Sequence, residues 1–329
     1  MIAIFNNNRI ILGALLLLIA FLFSAVVLIY PEWYILSDFQ SPFYTLLVQW
    51  LKGISGNNFY FFFTISISLV FAQAIAINRF VNDIKLFPKI TYVPGLLYIL
   101  CASLFREYLF FTPVLVVNTF IVFIVIKMFS IYKKTDCQKD VFDVGLMIGI
   151  CALIYFPSLS LLLLFFIGLS ILRAFAWREW LIGILGVLVP FFLAGTTYFW
   201  NDKLAKFFLA TFESVYAEFN IVIEGGPELV WIGGEIIAML GIAVYLLQNN
   251  FMKSPIQFRK FLTLMLWGIV ILSFSSLFLN KLTLNHFLIL SAPLSIILSY
   301  FFLSFRKWYI PETFFWSLFL SILAFQYLK

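Results

Sequence analysis

Residues 10–51 read IILGALLLLIAFLFSAVVLIYPEWYILSDFQSPFYTLLVQWL, and they set the class of the protein. The first half is an apolar run of about 20 residues, the length that an α-helix needs to cross roughly 30 Å of hydrocarbon. It lacks a small-residue cleavage site, so we expect a retained membrane span and not a signal peptide. The second half stays mostly apolar but holds Glu32, Asp38 and the pair Ser41-Pro42. The stretch therefore predicts a span followed at once by a segment with polar side chains at the membrane surface.

The composition of the whole chain agrees with this start. The chain has 329 residues, of which 64% are hydrophobic and 11% are charged, and its mean hydropathy is +1.07. Soluble domains are about half apolar and about a quarter charged. We therefore expect an all-α polytopic membrane protein.

Eleven apolar segments are candidates for spans. They are 10–30, 59–78, 91–105, 109–127, 142–156, 158–173, 180–200, 229–248, 261–279, 286–304 and 311–328. The fifth and sixth share about 30 residues around Pro157, so each is short or tilted. We expect a core at 1–200, an outer amphipathic helix and loop at 201–228, and C-terminal spans at 229–329.

The cations predict the orientation. Cytoplasmic loops of membrane proteins carry an excess of Lys and Arg. With the N-terminus inside, the inner loops hold Arg9, Arg79, Lys85, Lys89, Lys127, Lys133, Lys134, Lys139, Arg173, Arg178, Lys253, Arg259, Lys260, Arg306 and Lys307. The outer loops hold only Lys52, Arg106, Lys203, Lys206, Lys281 and Lys329. We expect a multi-pass membrane protein with a cytoplasmic N-terminus, and its net charge of +6 calls for no nucleic acid partner.

Most carboxylates fall on the opposite, extracytoplasmic side, where we therefore expect the chemistry. The cavity candidates there are Glu32, Glu224 and Glu228 in the outer loops and Glu235 within the eighth span. An intramembrane carboxylate is a functional candidate, although a hydrogen bond to a neighbouring helix is an equal alternative for Glu235.

Two amphipathic helices are predicted on this outer face. Serine at the N-cap and proline at the first helical position, here Ser41 and Pro42, start a helix of about ten residues. A second helix is predicted within 201–220, before the turn that carries Glu224 and Glu228. Asp38 lies just before the first helix and is a candidate general base, with capping of that helix as the alternative.

Phosphate-binding candidates lie in two other outer loops. Arg106 suits phosphate because its planar guanidinium makes two parallel hydrogen bonds, and Glu107 beside it can position it or bind Mg²⁺ or Mn²⁺. Snorkelling of both side chains is the alternative. Lys281 and His286 can also reach phosphate, or can serve as interfacial anchors.

Several other site types find no support in the sequence. Cys101, Cys137 and Cys151 form no metal-ligand or disulfide pattern, and His286 is the only histidine. No GxxxxGK[ST] or GxGxxG motif indicates a nucleotide site.

Residues 145–190 carry a resemblance to a known family. They read GLMIGICALIYFPSLSLLLLFFIGLSILRAFAWREWLIGILGVLVP, with a break at Tyr155-Phe156-Pro157 and a basic turn from Arg173 to Arg178. This resembles the central hairpin of GT-C membrane glycosyltransferases, although many members carry Lys or Arg just before the proline, and this chain has Tyr155 two positions before it. The chain is also similar to multi-spanning membrane proteins of Bacteroidota.

The resemblance implies a function and roles for residues. GT-C enzymes transfer a sugar from a polyprenyl phosphate or diphosphate on the non-cytoplasmic side of the membrane. Asp38, with Pro42 and Tyr44 after it, is similar to the acidic position in the family's first outer loop, which acts as base or positions the acceptor. Glu107 matches a second acidic position in the family, between the third and fourth spans.

Two other functions stay open at this stage. In a transporter or lipid flippase, Glu107 and Glu235 would lie along a path through the bundle. In a non-catalytic subunit of an envelope or secretion complex, the partner would be another membrane protein.

Overall fold

The computed structural model describes residues 5, 11–29, 41–56, 58–132, 134, 136–216, 227–250, 254–279, 283–305, 307 and 309–327. Within these ranges all regular structure is helical and no strand occurs. This confirms the prediction of an all-α protein.

Thirteen α-helices occur in the described ranges. In chain order they are α1 Ile11–Ile29, α2 Pro42–Ser55, α3 Phe59–Asp83, α4 Val93–Cys101, α5 Pro113–Ser130, α6 Gln138–Ile154, α7 Leu161–Leu172, α8 Trp177–Trp200, α9 Leu204–Tyr216, α10 Pro227–Asn250, α11 Ile256–Phe274, α12 Ser291–Ser304 and α13 Tyr309–Tyr327.

Seven helical stretches in the described residues are long and apolar enough to cross a membrane. They are Leu12–Ile29, Phe59–Asp83, Pro113–Ser130, Trp177–Trp200, Leu229–Asn250, Ile256–Leu277 and Leu284–Ser304. Each matches one of the eleven predicted spans, so the chain is a polytopic membrane protein.

The other four predicted spans are shorter or less apolar helices. The segment predicted at 91–105 forms only the nine-residue helix α4, and the region around Pro157 forms α6 and α7 with a 3₁₀ turn between them. All nine residues of α4 are buried in protein. Its length is therefore not set by the thickness of the hydrocarbon, because lipid does not contact it.

One end of the bundle gathers non-α turns, and we call it the turn end. It carries the 3₁₀ segments Arg106–Leu109, Phe156–Ser160, Ser275–Phe278 and Leu284–Leu290. The first packs against the fourth, and the second packs against the third. Irregular backbone is thus concentrated where the segments can satisfy each other's polar groups.

Helix α2 forms at the predicted position and docks on the turn end. The Ser41 hydroxyl caps the helix by accepting the Tyr44 N–H at 3.5 Å, and it donates to the Leu153 carbonyl at 2.8 Å. The Tyr44 hydroxyl donates to the Phe111 carbonyl at 2.7 Å. Gly56, with φ +59°, ends the helix in the left-handed conformation that glycine adopts without strain. The second predicted amphipathic helix forms as α9 and packs against α8, α2 and the turn at 156–160.

The opposite end of the bundle is charged, and we call it the charged end. It carries the ion pairs Lys127–Asp140, Lys127–Asp143, Lys134–Asp140 and Arg173–Glu179. There Lys260 of α11 also donates to the Leu172 carbonyl at the end of α7, at 3.3 Å. These contacts join α5, α6, α7, α8 and α11 at one level.

Asp140 makes the stability that the charged end contributes depend on pH. Its Oδ2 accepts from Lys134 Nζ at 2.6 Å, and its Oδ1 lies 3.4 Å from Lys127 Nζ. The hydrogen bond from Lys134, with Lys127 adding to it, holds the pKa of Asp140 below its usual value. A carboxyl with a lowered folded-state pKa stabilises the fold above its unfolded pKa, and this stability is lost as pH falls through the folded pKa.

We therefore expect the stability difference between wild type and Asp140→Asn to be constant above about pH 5 and to shrink below about pH 4. Thermal unfolding of the detergent-solubilised proteins across this range measures it. A difference that stays equal at every pH would contradict the role given to Asp140.

Helices α6 and α8 meet along four glycines, which we call the glycine seam: Gly145, Gly149, Gly183 and Gly186. A Cβ added to Gly149 would lie 2.5 Å from the Val187 carbonyl oxygen, and one added to Gly186 would lie 2.5 Å from that of Phe142. The two backbones therefore touch directly, as small residues permit in membrane helix pairs.

One hydrophobic core joins helices from α1 to α13. At its centre α4 packs against α12, and residues 291–302 of α12 are all buried. The ranges 1–200 and 229–329 share this core, so the three-part division of the chain stays an interpretation of the sequence.

Candidate functional site

Four of the residues singled out in the sequence lie outside the described part of the chain: Glu32, Asp38, Glu224 and Lys281. Glu228 belongs to the first turn of α10, but its side chain also lies outside the described part. Their roles stay predictions.

Arg106 and Glu107 lie on the first 3₁₀ segment of the turn end, and both are half-buried. Phe105 and Phe110, on either side of the turn, are extended. Tyr108 and Leu109 are buried and anchor the turn in the protein. Burial, helped by the negative charge of Glu107, raises the pKa of Tyr108 well above its usual value, so its phenol stays neutral. The anchoring holds one cation and one carboxylate at the protein surface.

His286 lies on the segment that packs against this turn, and it is fully buried. Its Nδ1 lies 2.8 Å from the Tyr155 hydroxyl, and its Nε2 lies 3.1 Å from Ser275 Oγ. Ser275 has one proton, which it donates to the Leu272 carbonyl at 2.6 Å. Ser275 therefore accepts from Nε2–H. In the neutral ring this leaves Nδ1 without a proton, so Nδ1 accepts from the Tyr155 hydroxyl.

This assignment makes His286 a neutral imidazole with both nitrogens engaged. The cluster of Tyr155, His286 and Ser275 joins the segments Ser275–Phe278 and Leu284–Leu290 to the residue just before Phe156–Ser160. Phosphate binding by His286 stays a prediction, and it requires these hydrogen bonds to be exchanged for bonds to the ligand.

Asn285 lies beside His286 and is also fully buried. Neither its Oδ1 nor its Nδ2 has a hydrogen-bond partner among the described residues. A buried amide without partners is destabilising and rare. It offers both a donor and an acceptor to a polar group that reaches this segment.

A polar network crosses the bundle near the turn end. The Tyr98 hydroxyl of α4 donates to Gln73 Oε1 of α3 at 2.7 Å, and Gln73 Nε2 donates to Thr119 Oγ1 and to the Leu115 carbonyl of α5. In a second group, Asn118 Nδ2 donates to Ser291 Oγ at 2.8 Å and to the Leu288 carbonyl at 2.9 Å.

The sequence interpretation missed Gln73 and Asn118. Both are amides inside apolar runs. Glu235 was selected because a polar group within a span is functional or structural by default, and the same reasoning applies to these two amides. Asn285 was missed because it falls at the predicted start of a span, where an amide is unremarkable.

Glu235 lies beside a cavity of about 480 Å³ between α10 and α13. The Ser321 hydroxyl of α13 is 3.5 Å from Glu235 Oε2, and Ser317 also lies within hydrogen-bonding reach of the carboxylate. Glu235 Oε1 is buried and has no hydrogen-bond partner among the described residues. None of the residues that line this cavity in the described fold belongs to the 3₁₀ segments. Glu235 and the turn end are therefore separate sites.

The described residues contain no group of three His, Cys, Asp or Glu side chains that could hold a metal by themselves. Glu107 is the described carboxylate on the 3₁₀ segments of the turn end. Glu107 could therefore supply one oxygen ligand to a divalent cation at this end.

The arrangement at the turn end suits an anionic ligand. A guanidinium, a carboxylate and an amide that has no partner in the described part of the chain lie on two 3₁₀ segments that pack together. Comparison of the chain with protein-family models, with curated proteins and with solved structures found no match.

Proposed function

We propose that the protein transfers a sugar from a polyprenyl-phosphate-linked donor to an acceptor on the extracytoplasmic face of the bacterial inner membrane. The turn end is then extracytoplasmic and the charged end cytoplasmic, and the fold is an eleven-pass, GT-C-like bundle with α2 and α9 in the outer interface.

The observation that carries the proposal is the gathering of 3₁₀ segments at one end, with Arg106 and Glu107 on one of them. Irregular backbone at membrane depth is tolerated where it is buried in protein or lines a wet cavity, and such breaks form binding sites in membrane proteins. Helix α2 docks on this same end through Tyr44 and Ser41, which is three positions after Asp38 in the sequence.

The contacts at the two ends support four of the eleven passes, those of α5 to α8. Helices α5 and α7 end at the charged end and α6 and α8 begin there, whereas α6 ends and α7 begins beside the turn Phe156–Ser160. Short helices in such a series can complete a crossing when protein and not lipid surrounds them.

In this proposal each residue has a defined role. Asp38 deprotonates or orients the hydroxyl of the acceptor. Arg106, with Lys281 and His286, stabilises the negative charge that develops on the departing phosphate, which is the main electrostatic task of such a site. Glu107 positions Arg106 or binds Mg²⁺ or Mn²⁺, which when bound neutralises phosphate charge.

Transfer from a lipid-linked sugar by the purified protein tests the proposal. We expect Asp38→Asn, Arg106→Ala and Glu107→Gln each to lower the rate by at least about 100-fold, as expected when a charge-stabilising or base group is removed. Asp202→Asn is the matched control, because Asp202 is exposed in the turn before α9. Full activity in all three site variants would reject the assignment.

A further inference from the structure

The groove between α10 and α13 is the second polar feature of the fold, and the proposed transferase does not use it. Its wall is mainly apolar, with Val230, Trp231 and Phe314, and its polar members include Glu235 and Ser317. Its volume of about 480 Å³ lies within the range of binding cavities.

Glu235 is incompletely satisfied in this groove. The Ser321 hydroxyl lies 3.5 Å from Glu235 Oε2, but it donates its one proton to the Leu318 carbonyl at 2.9 Å. The hydrogen bond from Ser321 to Glu235 is therefore weak. Ser317 also lies within hydrogen-bonding reach of this carboxylate, but Oε1 is buried and has no hydrogen-bond partner among the described residues. A carboxylate away from water is costly unless it is paired with a cation or with hydrogen-bond donors.

No cation within these two helices can pair with it. The sequences of α10 and α13 contain no Lys, Arg or His, and none lines the groove in the described part of the fold. A second copy of the chain that docked α10 and α13 symmetrically would bring a second Glu235 and no positive charge. Within the described groove the counter-charge is therefore left to a different molecule.

The outer surface of α10 is shaped for close approach by another helix. Its exposed stripe follows a three-and-four spacing through Trp231, Gly234, Ala238, Gly241 and Tyr245. A Cβ at Gly234 or Gly241 would meet nothing within 4 Å. Small residues at this spacing let two membrane helices bring their backbones together. Gly234 belongs both to this stripe and to the groove.

We propose that the groove between α10 and α13 binds a transmembrane helix of a partner protein that carries a Lys or Arg side chain, which pairs with Glu235. The small residues of α10 accept the backbone of the partner helix. The cation enters the groove, where Glu235, Ser317 and Ser321 surround it with oxygen atoms. The charge on Glu235 selects this partner over an uncharged helix.

Synthetic peptides test this directly. The full-length protein is placed in phosphatidylcholine nanodiscs, and the binding of labelled Leu/Ala helices of about 20 residues is measured by energy transfer. One peptide carries a central Lys, one a central Leu and one a central Glu. We expect the Lys peptide to bind at least about fivefold more tightly than the Leu peptide, and we expect Glu235→Gln to remove this preference. Glu235→Lys should transfer the preference to the Glu peptide.

Two glycine variants separate the role of the surface from effects on folding. Gly234→Leu should weaken binding of the Lys peptide, whereas Gly195→Leu, at an equally open position on α8, should not. Equal binding of the Lys and Leu peptides to wild type would overturn the proposal. So would Glu235-dependent retention of phosphatidylethanolamine without any peptide preference, since the groove would then be a lipid site.

Discussion

Gly186→Leu should prevent the bundle from assembling normally. The Cβ alone would lie 2.5 Å from the Phe142 carbonyl oxygen and 3.0 Å from the Leu146 backbone nitrogen, and both atoms belong to the backbone of α6. Backbone cannot rotate away as a flexible side chain does, so the helices must separate. We expect a loss of stability of about 3 kcal/mol or more, at the upper end of the cost of overpacking.

The measurement is thermal unfolding in detergent, followed by size-exclusion chromatography. Gly195→Leu is the matched control in the same helix α8, because its Cβ would meet nothing within 4 Å. We expect this control to unfold within a few degrees of wild type. If both variants were equally stable, α6 and α8 would not be in backbone contact, and the described packing of the glycine seam would be wrong.

Tyr155→Phe should loosen the turn end. The change removes one oxygen and leaves His286 Nδ1 buried without its donor, which costs about 1–3 kcal/mol for a buried unsatisfied group. His286→Leu should cost at least as much, because it leaves the hydroxyls of Tyr155 and Ser275 without their ring partner. Since the three side chains form one network, the double variant should cost less than the sum of the two single changes.

Unfolding of the four proteins in a double-mutant cycle measures this coupling. Tyr245→Phe is the matched control, because its side chain is 62% exposed on α10 and its hydroxyl supports none of the 3₁₀ segments. We expect the control to be neutral within about 0.5 kcal/mol. Strict additivity of Tyr155→Phe and His286→Leu would show that the hydrogen bond between them does not form.

Capping residues and prolines in the sequence predicted correctly where helices start and break. Ser41 and Pro42 predicted the start of α2, which the structure places at Pro42 with Ser41 as its cap. Pro157 predicted the break between α6 and α7, because proline removes a backbone donor. Hydropathy predicted the seven long helices but overestimated α4, since a fully buried helix is as apolar as one that faces lipid.

The site depended on information that local patterns do not contain. The sequence indicated Arg106 and His286 as separate loop residues, but not that their two segments pack together. It also treated His286 as an interfacial side chain, whereas Tyr155, over one hundred positions earlier in the chain, and Ser275 enclose it. Such long-range pairing follows from the packing of the helices and not from the residues on either side.

The most direct test of the transferase proposal compares two arginines in one assay. Arg106 lies at the turn end, whereas Arg178 is exposed near the charged end, at the start of α8. With a polyprenyl-phosphate-linked sugar as donor, the account predicts that Arg106→Ala lowers transfer by at least about 100-fold and that Arg178→Ala transfers at the wild-type rate. Equal rates for the two variants, or no transfer by the wild-type protein, would contradict the account.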